Sequence, residues 1–219
     1  MELNTIEKSS EAPISARTND SALDEIAFAT GETELGTVLI ARSSVGVCSI
    51  IMGSDGDELS NDLAERFPES RLVRDNAKLA DDLHQVQRFI ETPAVGLDLA
   101  FDVRGTPFQR RVWTVLLGVP AGSTITYAAL ASRIGERDAV RAVARACAAN
   151  AIALGIPCHR VISSDGTLSG YRWGVERKRA LLAREGTLMN VHNDVLKISA
   201  SIVQGAEARV LTGTRSPLN

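Results

Sequence analysis

Ile156-Pro157-Cys158-His159-Arg160-Val161 sets a cysteine and a histidine between a proline and an arginine, with an apolar residue at each end. A thiol is a useful nucleophile only as the thiolate. A neighbouring imidazole and guanidinium are surroundings that bring its pKa from about 8.5 toward roughly 3.5–7.5. Cysteine is also among the most buried residue types, and one in an apolar setting is usually core. Core positions rarely carry such flanks, so a reactive thiol and a packed one both stay open at Cys158.

Upstream of this stretch the chain reads as helices. Thr106 is a good N-cap and Pro107 a good first helical residue, so a helix starts there and stops at Gly118. Phe108, Val112 and Val115 or Leu116 give it a buried stripe, to which Trp113 adds packing. After a loop at residues 121–124, Thr126 can cap a short helix over 127–134 that Gly135 ends, and Asp138 a third helix over 139–148. That last helix is rich in alanine and carries Arg141 and Arg145 four apart on one face. Two short helices joined by a glycine-containing turn form the helix-turn-helix pattern, and small residues such as Ala139, Ala142 and Ala146 suit close approach to a partner. The same helix could simply pack closely and solvate its arginines.

The first half reads differently. Residues 1–23 lack a periodic apolar pattern and are treated as a poorly ordered leader. From Asp24, Ile26 and Phe28 alternate with other residues, and β-rich runs at 35–41 and 45–52 flank Arg42-Ser43-Ser44, which predicts strands joined by a hairpin. Leu59, Leu63 and Phe67 at spacing four predict a helix ended by Pro68. Leu79, Leu83, Val86 and Ile90 predict a second over 77–90, and a last strand is expected at 97–101.

Charge divides along the same line. Residues 1–103 hold 8 basic and 20 acidic side chains, residues 104–185 hold 13 and 5, and the remainder 3 and 2. A segment near +8 suggests contact with a polyanion, unless the two halves merely attract each other. No apolar run is long enough to span a bilayer and no signal segment is visible, so a cytoplasmic, membrane-free protein is expected. Cys48, Cys147 and Cys158 are odd in number and scattered, which fits neither a disulfide framework nor a four-ligand zinc site.

Six ordered strings now carry a resemblance: FDVRGTPFQRRVW at Phe101, TYAALASRIG at Thr126, AVRAVARACAAN at Ala139, IPCHRV at Ile156, DGTLSGYRWG at Asp165 and KRALLAREG at Lys178. The chain resembles the O6-alkylguanine-DNA alkyltransferase family, in its Ada-type bacterial branch. The resemblance implies an α/β chain, with a ribonuclease H-like α/β domain at 24–101 and a mainly helical, winged helix-turn-helix-like domain at 102–186. It implies irreversible, single-turnover alkyl transfer from O6-alkylguanine in double-stranded DNA to Cys158, by a monomer that needs no cofactor; O4-alkylthymine is a further candidate substrate. His159 would act as base through a water and Glu185 would orient it, while Asn150 would hold the turn before the active-site segment. Arg141 would fill the space left by a flipped base, and Tyr127 would push on the neighbouring phosphate and help protonate the leaving guanine. Ala139, Ala142, Arg145 and Lys178 would lie toward DNA, and Tyr171, Arg172 and Trp173 would line the base pocket, the bulk of Trp173 disfavouring benzyl-sized groups.

The sequence departs from its relatives in places. It has no Cys/His cluster before residue 100, so the structural zinc of the human-like relatives is not expected and no metal is assigned. The chain is also too short to carry the zinc-bearing methyl-phosphate acceptor and regulatory domain of full-length Ada proteins, so no transcriptional role is expected. The tail at 187–219 is unlike the family. Two other readings are a damage sensor, which would lack the acceptor cysteine, and a cysteine hydrolase, which would leave the basic segment without a purpose.

Overall fold

The computed structural model describes residues 24–168 and 170–186. The leader at 1–23 and the tail at 187–219 lie outside the described residues. Strands β1 (Glu25–Thr33), β2 (Gly36–Arg42) and β3 (Val47–Gly53) form an antiparallel meander, as the β-rich runs predict. A fourth strand, β4 (Arg71–Arg74), adds to β1 in parallel, so the order is β3-β2-β1-β4. β4 carries no signal in the sequence, because four residues with an arginine at each end show no alternation.

Helix α1 (Gly56–Arg66) is capped by Asp55, whose carboxylate accepts from the amides of Asp57 and Glu58, and it ends at Phe67 just before Pro68. Leu59 and Leu63 point into the core, each burial worth roughly 1.5–3 kcal/mol. Helix α2 (Ala80–Glu91) begins three residues later than expected, since residues 77–79 form a turn, and it buries Phe89 beside Val86 and Ile90.

The strand expected at 97–101 is absent. Only a single parallel bridge forms between Phe101 and Val47, through Val47 N–H to Ala100 O at 2.8 Å and Asp102 N–H to Val47 O at 2.9 Å. On the same strand, Ile50 exchanges bonds with Ala151 and Ala153, at 2.8 and 2.9 Å. Thus β3 is covered by two short pieces, one from the junction at 100–102 and one from the second half at 151–153, which removes an exposed strand edge and ties the stretch leading to Cys158 directly to the sheet.

In the second half, α3 (Pro107–Leu117) starts at the Thr106 cap and Pro107 that the sequence predicts, and Gln109 completes a full capping box with Thr106. It packs with α4 (Tyr127–Arg133) and α5 (Val140–Ala148). Trp113 is buried and its indole N–H donates to the carbonyl of Ala146 at 2.9 Å, so Ala146 faces the core and not a partner. Asp138 does not cap α5; the cap position is Ala139, without a side-chain bond. Two-residue strands β5 (Ile125–Thr126) and β6 (Val161–Ile162) pair in parallel. This pairing sets the start of α4, and with it Tyr127, beside the Cys158 segment. Helix α6 (Val175–Arg184) closes the described chain.

Candidate active site

Cys158 does not lie on an extended strand. Residues Cys158–Arg160 form one 3-10 turn between Pro157 and β6, with Cys158 N–H bonded to Ile156 O at 2.7 Å. Asn150, buried at the end of α5, holds this turn. Its amide nitrogen donates to Ile156 O at 2.9 Å, to Ile152 O at 3.3 Å and to Cys158 Sγ at 3.2 Å, while its oxygen accepts from Ile152 N–H at 2.9 Å. One side chain thus fixes the backbone leading up to Pro157 and, beyond the proline, touches the sulfur.

His159 is fully buried. Its Nε2 lies 2.9 Å from Glu185 Oε1, and the same carboxylate accepts from Arg160 Nη2 at 2.8 Å and Nε at 3.1 Å. Arg160 also donates to Val119 O. Burial raises the Glu185 pKa, but hydrogen bonds from His159 and Arg160 outweigh it and hold the carboxyl at about 2. Burial lowers the His159 pKa more than Glu185 raises it, with Arg160 and Lys178 adding to the depression. Because Arg160 already neutralises Glu185, the imidazole stays neutral with its proton on Nε2. Nδ1 is left as a buried acceptor with no hydrogen-bond partner among the described residues. The site therefore contains an oriented base with one open lone pair.

The thiol itself departs from expectation. Burial pushes the Cys158 pKa up to about 11, against the pull of the Asn150 amide and the nearby Lys178 cation. The flanking arginine does not lower it, because the Arg160 guanidinium is bound to Glu185 and Val119, and His159 carries no charge. Lys178, expected to face DNA, is buried completely and donates to Val161 O. It acts from beneath the site, not on the surface.

Tyr127 is half-buried and its hydroxyl donates to Gly170 O at 3.2 Å. Burial, and then the proximity of Cys147 and Cys158, raise its pKa to about 12. Tyr171 is buried beside the thiol, its phenol pushed well up by burial first and by Cys158 second. Trp173 is buried and Arg172 exposed. Arg141 and Arg145 are exposed on α5, and Ala139 and Ala142 are half-buried on the same helix.

The charge asymmetry has two parts. Arg104–Asp24, Arg172–Asp62 and Arg184–Glu34 are ion pairs between the two halves, so some of the complementarity is internal. Arg133, Arg137, Arg141 and Arg145, by contrast, stand exposed along α4, α5 and the turn between them. Sequence reasoning missed Arg160 as the second partner of Glu185, although its position next to His159 was visible. No helix among the described residues is long and apolar enough to cross a membrane.

Residues 107–187 match the family profile described as 6-O-methylguanine DNA methyltransferase, DNA binding domain. The bifunctional transcriptional activator/DNA repair enzyme Ada of Escherichia coli is 44% identical over 160 residues, covering 73% of this chain and 45% of that protein. The chain thus spans under half the length of that relative. A methylated-DNA–protein-cysteine methyltransferase of Candida albicans is 34% identical over 174 residues, covering 75% of this chain and 98% of that protein. Among solved structures, the Mycobacterium tuberculosis OGT in complex with DNA matches with a TM-score of 0.62 and 32% identity, over 73% of this chain and 92% of that one. A match that runs along nearly the whole of a relative, with Cys158, His159, Asn150 and Glu185 gathered at one site, places this chain in the methylated-DNA–protein-cysteine methyltransferase family.

Proposed function

We propose that the protein repairs DNA by moving the alkyl group of O6-alkylguanine in a duplex onto Cys158, once per molecule and irreversibly. The observation that carries this reading is the set Asn150, Cys158, His159 and Glu185, in which a hydrogen-bonded thiol sits next to a neutral, oriented imidazole with a free Nδ1. The thiol proton passes to Nδ1 through a water, and the sulfur attacks the alkyl carbon. The S–C bond forms as the C–O6 bond breaks, and its electrons leave with the guanine, which takes up a proton with help from the Tyr127 hydroxyl. Because the resting thiol is protonated by burial, this proton transfer is part of activation. The Glu185 carboxylate stabilises the imidazolium that results.

Support for DNA as the substrate comes from the exposed arginines on α4 and α5 and from the likeness to the DNA-bound OGT. In this reading α4 and α5 form a winged helix-turn-helix-like unit over 102–186 that enters the minor groove, Arg141 occupies the space of the flipped base, and residues 24–101 form a ribonuclease H-like unit. The protein acts as a monomer, and O4-alkylthymine is a second candidate substrate. Titrating O6-methylguanine duplex against a fixed amount of protein tests the stoichiometry. Lesion removal should stop at one equivalent. Continued turnover contradicts a suicide reaction, and binding without removal makes the protein a sensor.

A further inference from the structure

The loop at 170–174 carries Tyr171 beside the thiol, yet much of what fixes it lies in the first half of the chain. Asp62, on α1, accepts from Arg172 Nη2 through Oδ1 at 2.6 Å and from Arg66 Nε through Oδ2 at 3.0 Å. Both guanidinium groups lie over the Trp173 ring, 5.4 Å from its centroid for Arg66 and 5.3 Å for Arg172. A single carboxylate therefore holds two cations on one indole, each within cation–π range. The backbone of Trp173 is tied the same way: Arg177 Nη1 donates to Trp173 O at 2.8 Å, and its Nε to Leu35 O, between β1 and β2, at 2.6 Å.

We propose that Asp62 is a positioning residue that, through Arg66 and Arg172, fixes Trp173 and so sets the largest alkyl group that reaches Cys158. This rests on the alkyl-transfer reading above. Trp173 is 6% exposed, so it moves only if what covers it moves. Without Asp62, two like charges face one ring with no anion between them, and repulsion sends Arg172 into solvent. The indole then loses one cover and gains rotational freedom, and the pocket widens on that side. An ordinary surface ion pair of the Asp62–Arg172 kind has little effect. What sets this one apart is that both of its cations converge on a buried aromatic ring two residues along the loop from Tyr171, which lies beside the acceptor.

The test measures transfer rates from two duplexes of one sequence, carrying O6-methylguanine or O6-benzylguanine, to the wild type, Asp62→Ala and Asp62→Glu. The benzyl-to-methyl rate ratio should rise roughly tenfold in Asp62→Ala, the scale of losing one or two such contacts, and fall back toward wild type in Asp62→Glu. In a Trp173→Ala background, Asp62→Ala should change the ratio no further. Asp62→Asn, which keeps the shape and removes the charge, gives the same reading if the alanine variant does not fold. A ratio unchanged within twofold, or an equal shift with and without Trp173, overturns the assignment. A wild type that removes methyl groups while the ratio stays flat refutes only the role of Asp62, whereas a wild type that transfers neither group overturns both readings.

Discussion

Replacing Glu185 with glutamine removes the charge at the centre of the site while keeping its shape. In the wild type the buried carboxylate accepts from His159 and twice over from Arg160. Its pKa of about 2, against an ordinary 4.5, corresponds to about 3 kcal/mol of folding stability. The same figure follows from the other side, since leaving a buried Arg160 without its anion costs about 3 kcal/mol, the low end for a broken buried pair. A carboxyl with a depressed folded pKa gives stability that is fully present above the unfolded value and lost as pH falls through the folded one. Urea unfolding at a series of pH values should therefore show Glu185→Gln less stable than wild type by about 3 kcal/mol at pH 7, with the gap closing between about pH 4.5 and 2. His159 adds a second dependence in both proteins. It is buried neutral with a lowered pKa, so acid that charges it in the unfolded state begins to erode stability below about pH 6.5. A variant within about 0.5 kcal/mol of wild type at pH 7, the range of an ordinary surface substitution, or a gap independent of pH, refutes the assigned ionisation of the cluster.

Lys178→Met should slow alkylation of Cys158 at neutral pH by roughly tenfold, the equivalent of one pKa unit, because the buried cation pulls the thiol pKa down; an unchanged pH–rate profile counts against it. Arg141→Ala should slow repair of duplex by much more than reaction with the free O6-methylguanine base, since only the duplex requires flipping, and equal losses on both remove its assignment. Duplex binding should weaken steeply between low and moderate salt, as phosphate contacts release counterions; salt-insensitive affinity contradicts the arginine face on α4 and α5. Thr106→Ala, which breaks the capping box of α3, should cost about 1 kcal/mol in thermal or urea unfolding with little effect on alkyl transfer to Cys158.

Local signals were legible wherever the chemistry is local. Thr106-Pro107 marked the start of α3 and Leu59 and Leu63 the core face of α1, because caps and periodicity act within a few residues. Features made by distant partners were not. β4 exists because β1 offers it a parallel edge, and residues 97–101 remain irregular because only Phe101 reaches Val47. At the site, the structure brings together Cys158, His159, Asn150 and Glu185, the residues the resemblance names, but the direction of the thiol shift is not legible in the sequence. It depends on how deeply the 3-10 turn is buried and on Arg160 being bound to Glu185, neither of which the flanking residues encode. Lys178 reads from the sequence as a surface cation, the common fate of lysine, and is instead part of the packed interior. The Asp62–Arg172 contact joins residues 110 positions apart, beyond the reach of any local pattern.

The most direct test of the central claim is intact-mass spectrometry, with peptide mapping, after the protein meets duplex DNA bearing one O6-methylguanine. Wild type should gain the mass of one methyl substitution, mapped to Cys158, and Cys158→Ala should gain none. Lesion binding with no gain in mass, or a methyl group mapped to Cys48 or Cys147, contradicts Cys158 as the acceptor.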